Sequence, residues 1–160
     1  METIKNEWGR QIMNMNENEF EQVTGYHDAI MPTRKTEFSA GYDLACYHSG
    51  SVQPGEVKLL ETGVKCKVNP DEYIQLHLRS SVGIKNSVML ANGTGIIDAD
   101  YYNNETNEGH IMIPIRNIGT TPFEYKAGDN LAQLVFMPYR ITSRDNVTTK
   151  RTGGFGSTDK

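Results

Sequence analysis

Apolar residues recur at every second position along this chain, in runs too short and too often interrupted to be helices. Val64, Cys66 and Val68 alternate with Lys65 and Lys67, and Ile74, Leu76 and Leu78 alternate with Gln75 and His77. Ile111, Ile113 and Ile115 repeat the same spacing. A period of two places one set of side chains on one face of an extended strand. Turn formers separate the runs: Pro54-Gly55, Asn69-Pro70-Asp71, Ala91-Asn92-Gly93 and Ala127-Gly128-Asp129. The segment LAQLVFMPY, residues 131–139, is apolar on both faces except at Gln133, as a strand buried on both sides would be. Short strands at this spacing, without a long helical pattern among them, predict an all-β sandwich or barrel. Residues 1–24 are the exception. They are polar, with Ile12, Met15, Phe20 and Val23 spaced for one short amphipathic helix in an N-terminal extension.

A chain of 160 residues is long enough for one domain with a real core. Its net charge of −4 argues against nucleic acid as a partner, because phosphate-backbone binding needs a basic excess. A local basic pocket for one small anion is compatible with that charge. No apolar run approaches the roughly 20 residues of a membrane span, and no charged start leads into an apolar signal segment. The reading is a cytoplasmic protein without a membrane partner. Cys46 and Cys66 form no C-x-x-C pair and are read as buried free thiols. The four histidines are scattered, so no protein-held zinc site is expected.

Four stretches carry more polar and glycine chemistry than a β core requires. SAGYDLA, residues 39–45, sets Asp43 inside a strand-like segment. LRSSVGIKN, residues 78–86, offers the Arg79 guanidinium, the hydroxyls of Ser80 and Ser81 and free backbone N–H groups to an anion. In NGTGIIDADYYNNETNEGHI, residues 92–111, the Asn92-Gly93 turn exposes backbone groups to a ligand. Asp98 and Asp100 are predicted on one side of a strand held down by Ile96 and Ile97, where an acid can serve as a general base. YYNNETNEG after them reads as an exposed, mobile loop. Last, RTGGFGSTDK ends the chain. Its glycines allow close backbone approach and a nest of N–H groups for phosphate oxygens. Phe155 offers a flat face to a base, Ser157 and Thr158 add hydroxyls, and Lys150 and Arg151 add charge.

Taken in order, these stretches and GDNLAQLVF (residues 128–136) resemble the five motifs of the trimeric dUTPase family, across roughly residues 30–158. The resemblance implies a jelly-roll β fold and a homotrimer whose sites each draw on all three chains. It implies hydrolysis of dUTP to dUMP and pyrophosphate, which keeps uracil out of DNA and supplies dUMP for thymidylate synthesis. Mg2+ would be carried by the triphosphate and waters, with Asp43 near the metal and phosphates. By position, Asp98 matches the acid that activates the attacking water. Asn92, with Gly95 in the adjoining backbone, matches the uracil reader, and Tyr101 the ring against the deoxyribose. Arg79, Ser80, Ser81 and Gln133 match phosphate contacts. In the tail, Phe155 matches the ring that stacks on uracil, and Arg151, Gly154, Ser157 and Thr158 match phosphate-side residues. The domain division that follows is an N-terminal extension over 1–24, a jelly-roll domain over 25–145 and a mobile C-terminal lid arm over 146–160, closing on a neighbouring subunit.

This sequence departs from the family pattern in two places. Lys150, Arg151 and Thr152 stand where an Arg-Gly-x triplet is common, which leaves the γ-phosphate contact open between Lys150 and Arg151. The loop over residues 102–107 is longer than in many members and is a candidate for altered access or trimer contacts. Two rivals are weighed. dCTP deaminase shares the fold and the Arg-Ser-Ser motif, but Pro114 stands where that family needs a glutamate, and proline cannot move protons. A regulatory protein partner, bound through residues 1–24 or the 102–107 loop beside catalysis, is the alternative of another class.

Overall fold

The computed structural model describes residues 4–5, 11–12 and 16–156. Two four-stranded antiparallel sheets face each other. The first consists, in order across the sheet, of β3 (Glu19–Gln22), β6 (Val57–Lys67), β10 (Ile111–Asn117) and β8 (Val88–Leu90). The second consists, in the same sense, of β4 (Tyr42–Ala45), β12 (Asn130–Pro138), β7 (Glu72–Leu78) and β9 (Gly95–Asp98). A two-stranded ribbon of β5 (Gly50–Val52) and β11 (Phe123–Tyr125) closes one end. Consecutive strands of one sheet are rarely neighbours in sequence, as in a jelly roll. No described helix is long and apolar enough to cross a membrane.

The period-two residues are the core. Val64 and Cys66 of β6, Ile74 and Leu76 of β7, and Ile111, Ile113 and Ile115 of β10 are all buried in one cluster with Leu44, Val52 and Leu134. Burying an aliphatic side chain of this kind contributes about 1.5–3 kcal/mol. The strand at residues 131–139 matches its expectation only in its first half. Leu131, Ala132 and Leu134 are buried, but Val135, Phe136 and Met137 are half-buried because the far face of β12 is only partly covered there. Both cysteines are buried free thiols, and burial pushes Cys66 up to about 12, which leaves it an unreactive thiol.

Two local expectations are overturned. Residues 19–22 are a strand, not part of a helix. They pair with residues 64–67 of β6, and Phe20 packs between Tyr42 at 5.3 Å and Phe136 at 5.7 Å. The open edge of β6 offers ladder hydrogen bonds that an isolated helical turn lacks. Farther back, β1 (Ile4–Lys5) pairs antiparallel with β2 (Gln11–Ile12), whereas Met15 lies outside the described residues. The stretch after β7 forms α1, which spans Ser80–Asn86 and is entered from extended backbone at Arg79. Finally, the chain leaves β9 at Asp98 and turns into a 3-10 helix over Ala99–Tyr101, so Asp100 is not on the strand.

Candidate active site

A cleft of about 280 Å³ opens along β9. One wall is the strand itself, with Gly95, Ile96, Ile97 and Asp98. Asn92, on the turn that precedes it, closes one end, and Tyr101 and Arg151 line the other. Leu76, Ile111, Met112 and Pro114 make an apolar floor, and Gly154, Phe155 and Gly156 lie across it. The turn is tight: Gly93, at φ +74°, donates to the Leu90 carbonyl at 3.0 Å, and Thr94 donates to the Asn92 carbonyl at 2.9 Å. A side chain at position 95 would meet Leu76 Cβ at 2.9 Å, so β9 can pass this close to β7 only with glycine there. Strand backbone is thereby presented to the cleft without a side chain in the way.

Arg151 joins the two acids. Its Nη2 donates to Asp98 Oδ2 at 2.6 Å and its Nε to Asp100 Oδ1 at 2.8 Å. Asp98 is thus paired while still about half exposed, and a pair this accessible contributes at most about 1 kcal/mol. Within this single chain the tail lies across the cleft, and Arg151 is the residue that ties it there. Lys150 is exposed. An acid pair two residues apart, facing a two-pronged guanidinium, is a signal the sequence contains and the strand reading missed. Phe155 is 66% exposed. Ser157 and Thr158 lie outside the described residues.

Tyr101 is buried, and its hydroxyl donates to the His110 carbonyl at 2.8 Å. Burial pushes this phenol up, so it stays a neutral donor. The loop after it is ordered rather than loose. Asn104 is buried, and its Oδ1 accepts from Thr106 N, Thr106 Oγ1 and Asn107 N. His110 ties the loop to the core. Its Nε2 accepts from Gly63 N at 2.8 Å and Thr62 N at 3.2 Å, which requires an unprotonated Nε2. Burial pushes His110 down, against the opposite pull of Glu61 and Glu108. An unfolded histidine titrates near 6.5. The unfolded chain thus binds a proton that the folded chain refuses just below that pH, and this stabilisation is full above about 6.5 and lost as pH falls through the lowered folded value. Melting temperature should drop from pH 7 to pH 5, and His110→Gln should flatten that slope in paired thermal scans. Equal slopes would show that His110 does not sense the pH.

The remaining sequence candidates gather elsewhere. Asp43 on β4 lies opposite Gln133 on β12, and Arg79 Nε approaches Asp43 Oδ1 at 3.3 Å. Arg79 is held from behind by its own Nη1, which donates to the Asn130 carbonyl at 3.2 Å. Ser80 and Ser81 open α1, where backbone N–H groups have no intrahelical acceptor. Asp43 Oδ2 is buried without a hydrogen-bond partner, with Lys35 Nζ 4.0 Å away. Gly41 is packed against the Gln133 side chain, which leaves no room for a Cβ. β4 and β9 are the two edges of one sheet. Asp43 aligns with Gln133 and His77, while Asp98 aligns with Tyr73, four residues along β7. Three strand steps and that stagger separate the two acids by about 20 Å. The candidate residues therefore fall into two separate groups: Asn92, Gly95, Asp98, Tyr101, Arg151, Gly154 and Phe155 in the cleft, and Asp43, Arg79, Ser80, Ser81 and Gln133 beyond the opposite edge.

Comparison with known proteins identifies the family. The dUTPase family model matches residues 27–159. A deoxyuridine 5'-triphosphate nucleotidohydrolase of Lactococcus lactis is 43% identical over 143 residues, covering 87% of this chain and 95% of that protein. The crystal structure of dUTPase from Streptococcus mutans superimposes with a TM-score of 0.75 at 38% identity, over 78% of this chain and 98% of that one. A mutant of the dUTPase from phage phi11 of S. aureus, whose structure reveals the coordination of a structural Mg(II) ion, shares the fold with a TM-score of 0.69 at 22% identity, over 84% of this chain and 98% of that one. The chain belongs to the dUTPase family.

Proposed function

We propose that this protein hydrolyses dUTP to dUMP and pyrophosphate, with water attacking the α-phosphorus. The observation that carries the reading is the cleft itself, which sets a carboxylate, a glycine-lined strand backbone and a buried tyrosine around one nucleotide-sized space in a chain of this family. Water is a poor nucleophile, and the Asp98 carboxylate can accept its proton and aim its lone pair. The turn at Asn92 and the bare backbone at Gly95 suit the donor and acceptor pattern of a uracil edge, which cytosine inverts. The tightness of that turn leaves no space for a thymine methyl. Tyr101, on the turn after Asp98, lines the same cleft and presents its ring to the sugar. Phe155 covers the base as the tail closes, Gly154 brings backbone N–H groups near the phosphates, and the hydroxyls of Ser157 and Thr158 are further phosphate donors.

The working unit in this reading is a homotrimer. Two half-sites about 20 Å apart on one sheet cannot grip one triphosphate, whereas the Asp43–Arg79–Gln133 group of one copy beside the cleft of another can. The outer face of the first sheet supports the same view, since Val57, Leu59 and Met89 are exposed there. A tail from another copy can replace the intrachain contact once substrate phosphates compete for Arg151. For the metal, the buried Asp43 Oδ2, which has no hydrogen-bond partner and sits beside the Oδ1 that faces Arg79, fits an ion held chiefly by phosphate and water rather than by a protein cage. No cluster of three or more ligating side chains occurs among the described residues. Mg2+ bound there would neutralise phosphate charge. Arg79, Ser80, Ser81 and Gln133 would orient the phosphate oxygens around it.

Pyrophosphate release measured separately with dUTP, dCTP, dTTP and UTP tests the proposal. Release from dUTP alone is expected. Comparable release from dCTP or UTP would remove the base or sugar role assigned above, and no release from dUTP would remove the activity.

A further inference from the structure

We propose that Asn107 is a positioning residue that sets the sugar selectivity of the cleft, by clamping the Tyr101 hydroxyl from outside the site. The inference rests on the nucleotide reading above, because it concerns the ring placed against the sugar. Tyr101 sits on the turn directly after Asp98 and lines the cleft. Whether a 2′-hydroxyl fits beside it depends on how deep the ring lies. A shift well under the width of an oxygen atom would admit or exclude it. The residues that hold the ring therefore matter as much as the ring.

The ring is held at its oxygen. Tyr101 Oη donates to the His110 carbonyl at 2.8 Å and accepts from Asn107 Nδ2 at 2.8 Å. The orientation of the Asn107 amide is determined by its other end. Asn107 Oδ1 accepts from Asn104 Nδ2 at 2.7 Å and from Gly109 N at 3.0 Å. Both of those are donors, so the amide oxygen must face them and its nitrogen must face Tyr101. The tyrosine proton is then directed to the carbonyl. The result is a one-way chain from the Asn107 amide through the Tyr101 hydroxyl to the His110 backbone. His110 in turn is anchored to β6 through Gly63 N and Thr62 N.

Tyr102, Asn103 and Glu108 fasten the outside of the loop to Glu21, Lys65 and Thr24, and its inner side closes on Tyr101. Asn103 at φ +55°, Glu108 at φ +59° and Gly109 at φ +82° bend it back on itself. A side chain at position 109 would sit 2.6 Å from the Tyr101 carbonyl oxygen. Asn104 Nδ2 also donates to that carbonyl at 2.8 Å, so the loop grips Tyr101 at both its backbone and its hydroxyl. On the opposite side, Gly154 of the tail lies against the ring edge, where a Cβ would meet Cε2 at 2.5 Å. The ring is thus confined from two directions, and only the Asn107 contact is polar, directional and removable without touching the cleft wall.

The test is the ratio of kcat/KM for dUTP to that for UTP in wild type, Asn107→Ala, Tyr101→Phe and the double variant. Asn107→Ala should lower the ratio about tenfold, mainly by improving KM for UTP, with kcat on dUTP within about threefold of wild type. Tyr101→Phe, which keeps the ring but removes the clamped oxygen, should lower it similarly. Asn107→Ala in the Tyr101→Phe background should then change nothing further, as coupling through one group requires. An unchanged ratio with a lowered melting temperature and equal losses on both substrates would overturn the proposal, as would additive effects in the double variant. If wild type does not hydrolyse dUTP, the activity proposal fails by itself. Calorimetric affinities of the same four proteins for dUMP and UMP then read the clamp alone, and an unaltered preference in Asn107→Ala would overturn it.

Discussion

Asp98→Asn should keep nucleotide affinity within about threefold and lose about a thousandfold in kcat, within the range that general-base catalysis supplies. The amide has the shape of the carboxylate but cannot take a proton from water. Asp98 closes β9 opposite Tyr73, at the point where the chain turns into the 3-10 helix that carries Tyr101. Its backbone position is therefore set by the sheet and not by its own charge. The ion pair to Arg151 is weakened in the variant, but it is half exposed on the acid side, and Asp100 retains Arg151 Nε at 2.8 Å. Melting temperature and oligomeric state should consequently match wild type. Single-turnover pyrophosphate release, with binding of a non-hydrolysable dUTP analogue measured in parallel, separates the two quantities. A variant that turns over at the wild-type rate would remove Asp98 from the role of base.

Removal of residues 153–160 should leave the fold intact and lower kcat/KM on dUTP by about a hundredfold or more, the scale on which lost positioning acts. The core cluster contains nothing beyond Leu134 among its buried members, so the sheets do not depend on the tail for burial. The cleft does depend on it. Gly154, Phe155 and Gly156 form the wall that faces solvent, and without them water enters freely over the reacting phosphate. Arg151 is retained in the truncated chain with its contacts to Asp98 and Asp100, so the loss would belong to the closing residues rather than to the guanidinium. Full activity of the truncated protein would show that the cleft works without a cover.

Along the chain, the two-residue period was a reliable guide because side-chain direction in a strand is a local property. Ile74, Leu76, Ile111, Ile113 and Ile115 point inward for that reason, and all are buried. The N-terminal segment misled for the complementary reason. Phe20 and Val23 satisfy a helical spacing, but the unpaired edge of β6 lies far away in sequence and offers residues 19–22 a ladder. The candidate residues were also legible, because a carboxylate at the end of an apolar run and a glycine-rich terminus announce their chemistry through residue type. Their grouping was not. Asp43 and Gln133 are 90 positions apart yet face each other, whereas Asp43 and Asp98 share a sheet and stand on opposite edges of it.

The sequence by itself determined the strand faces, the turn positions, the membership of the dUTPase family and the identity of the groups able to do chemistry, since each depends on residue type and near neighbours. Only the tertiary structure decided that Asp98 and Asp100 share Arg151, that the five motifs fall into two spatially separate groups, and that an asparagine loop grips Tyr101. The separation of the motifs rests on strand order and register, which arise from contacts between distant segments, while the grip on Tyr101 is local and rests on side-chain hydrogen-bond geometry that residue type alone does not fix.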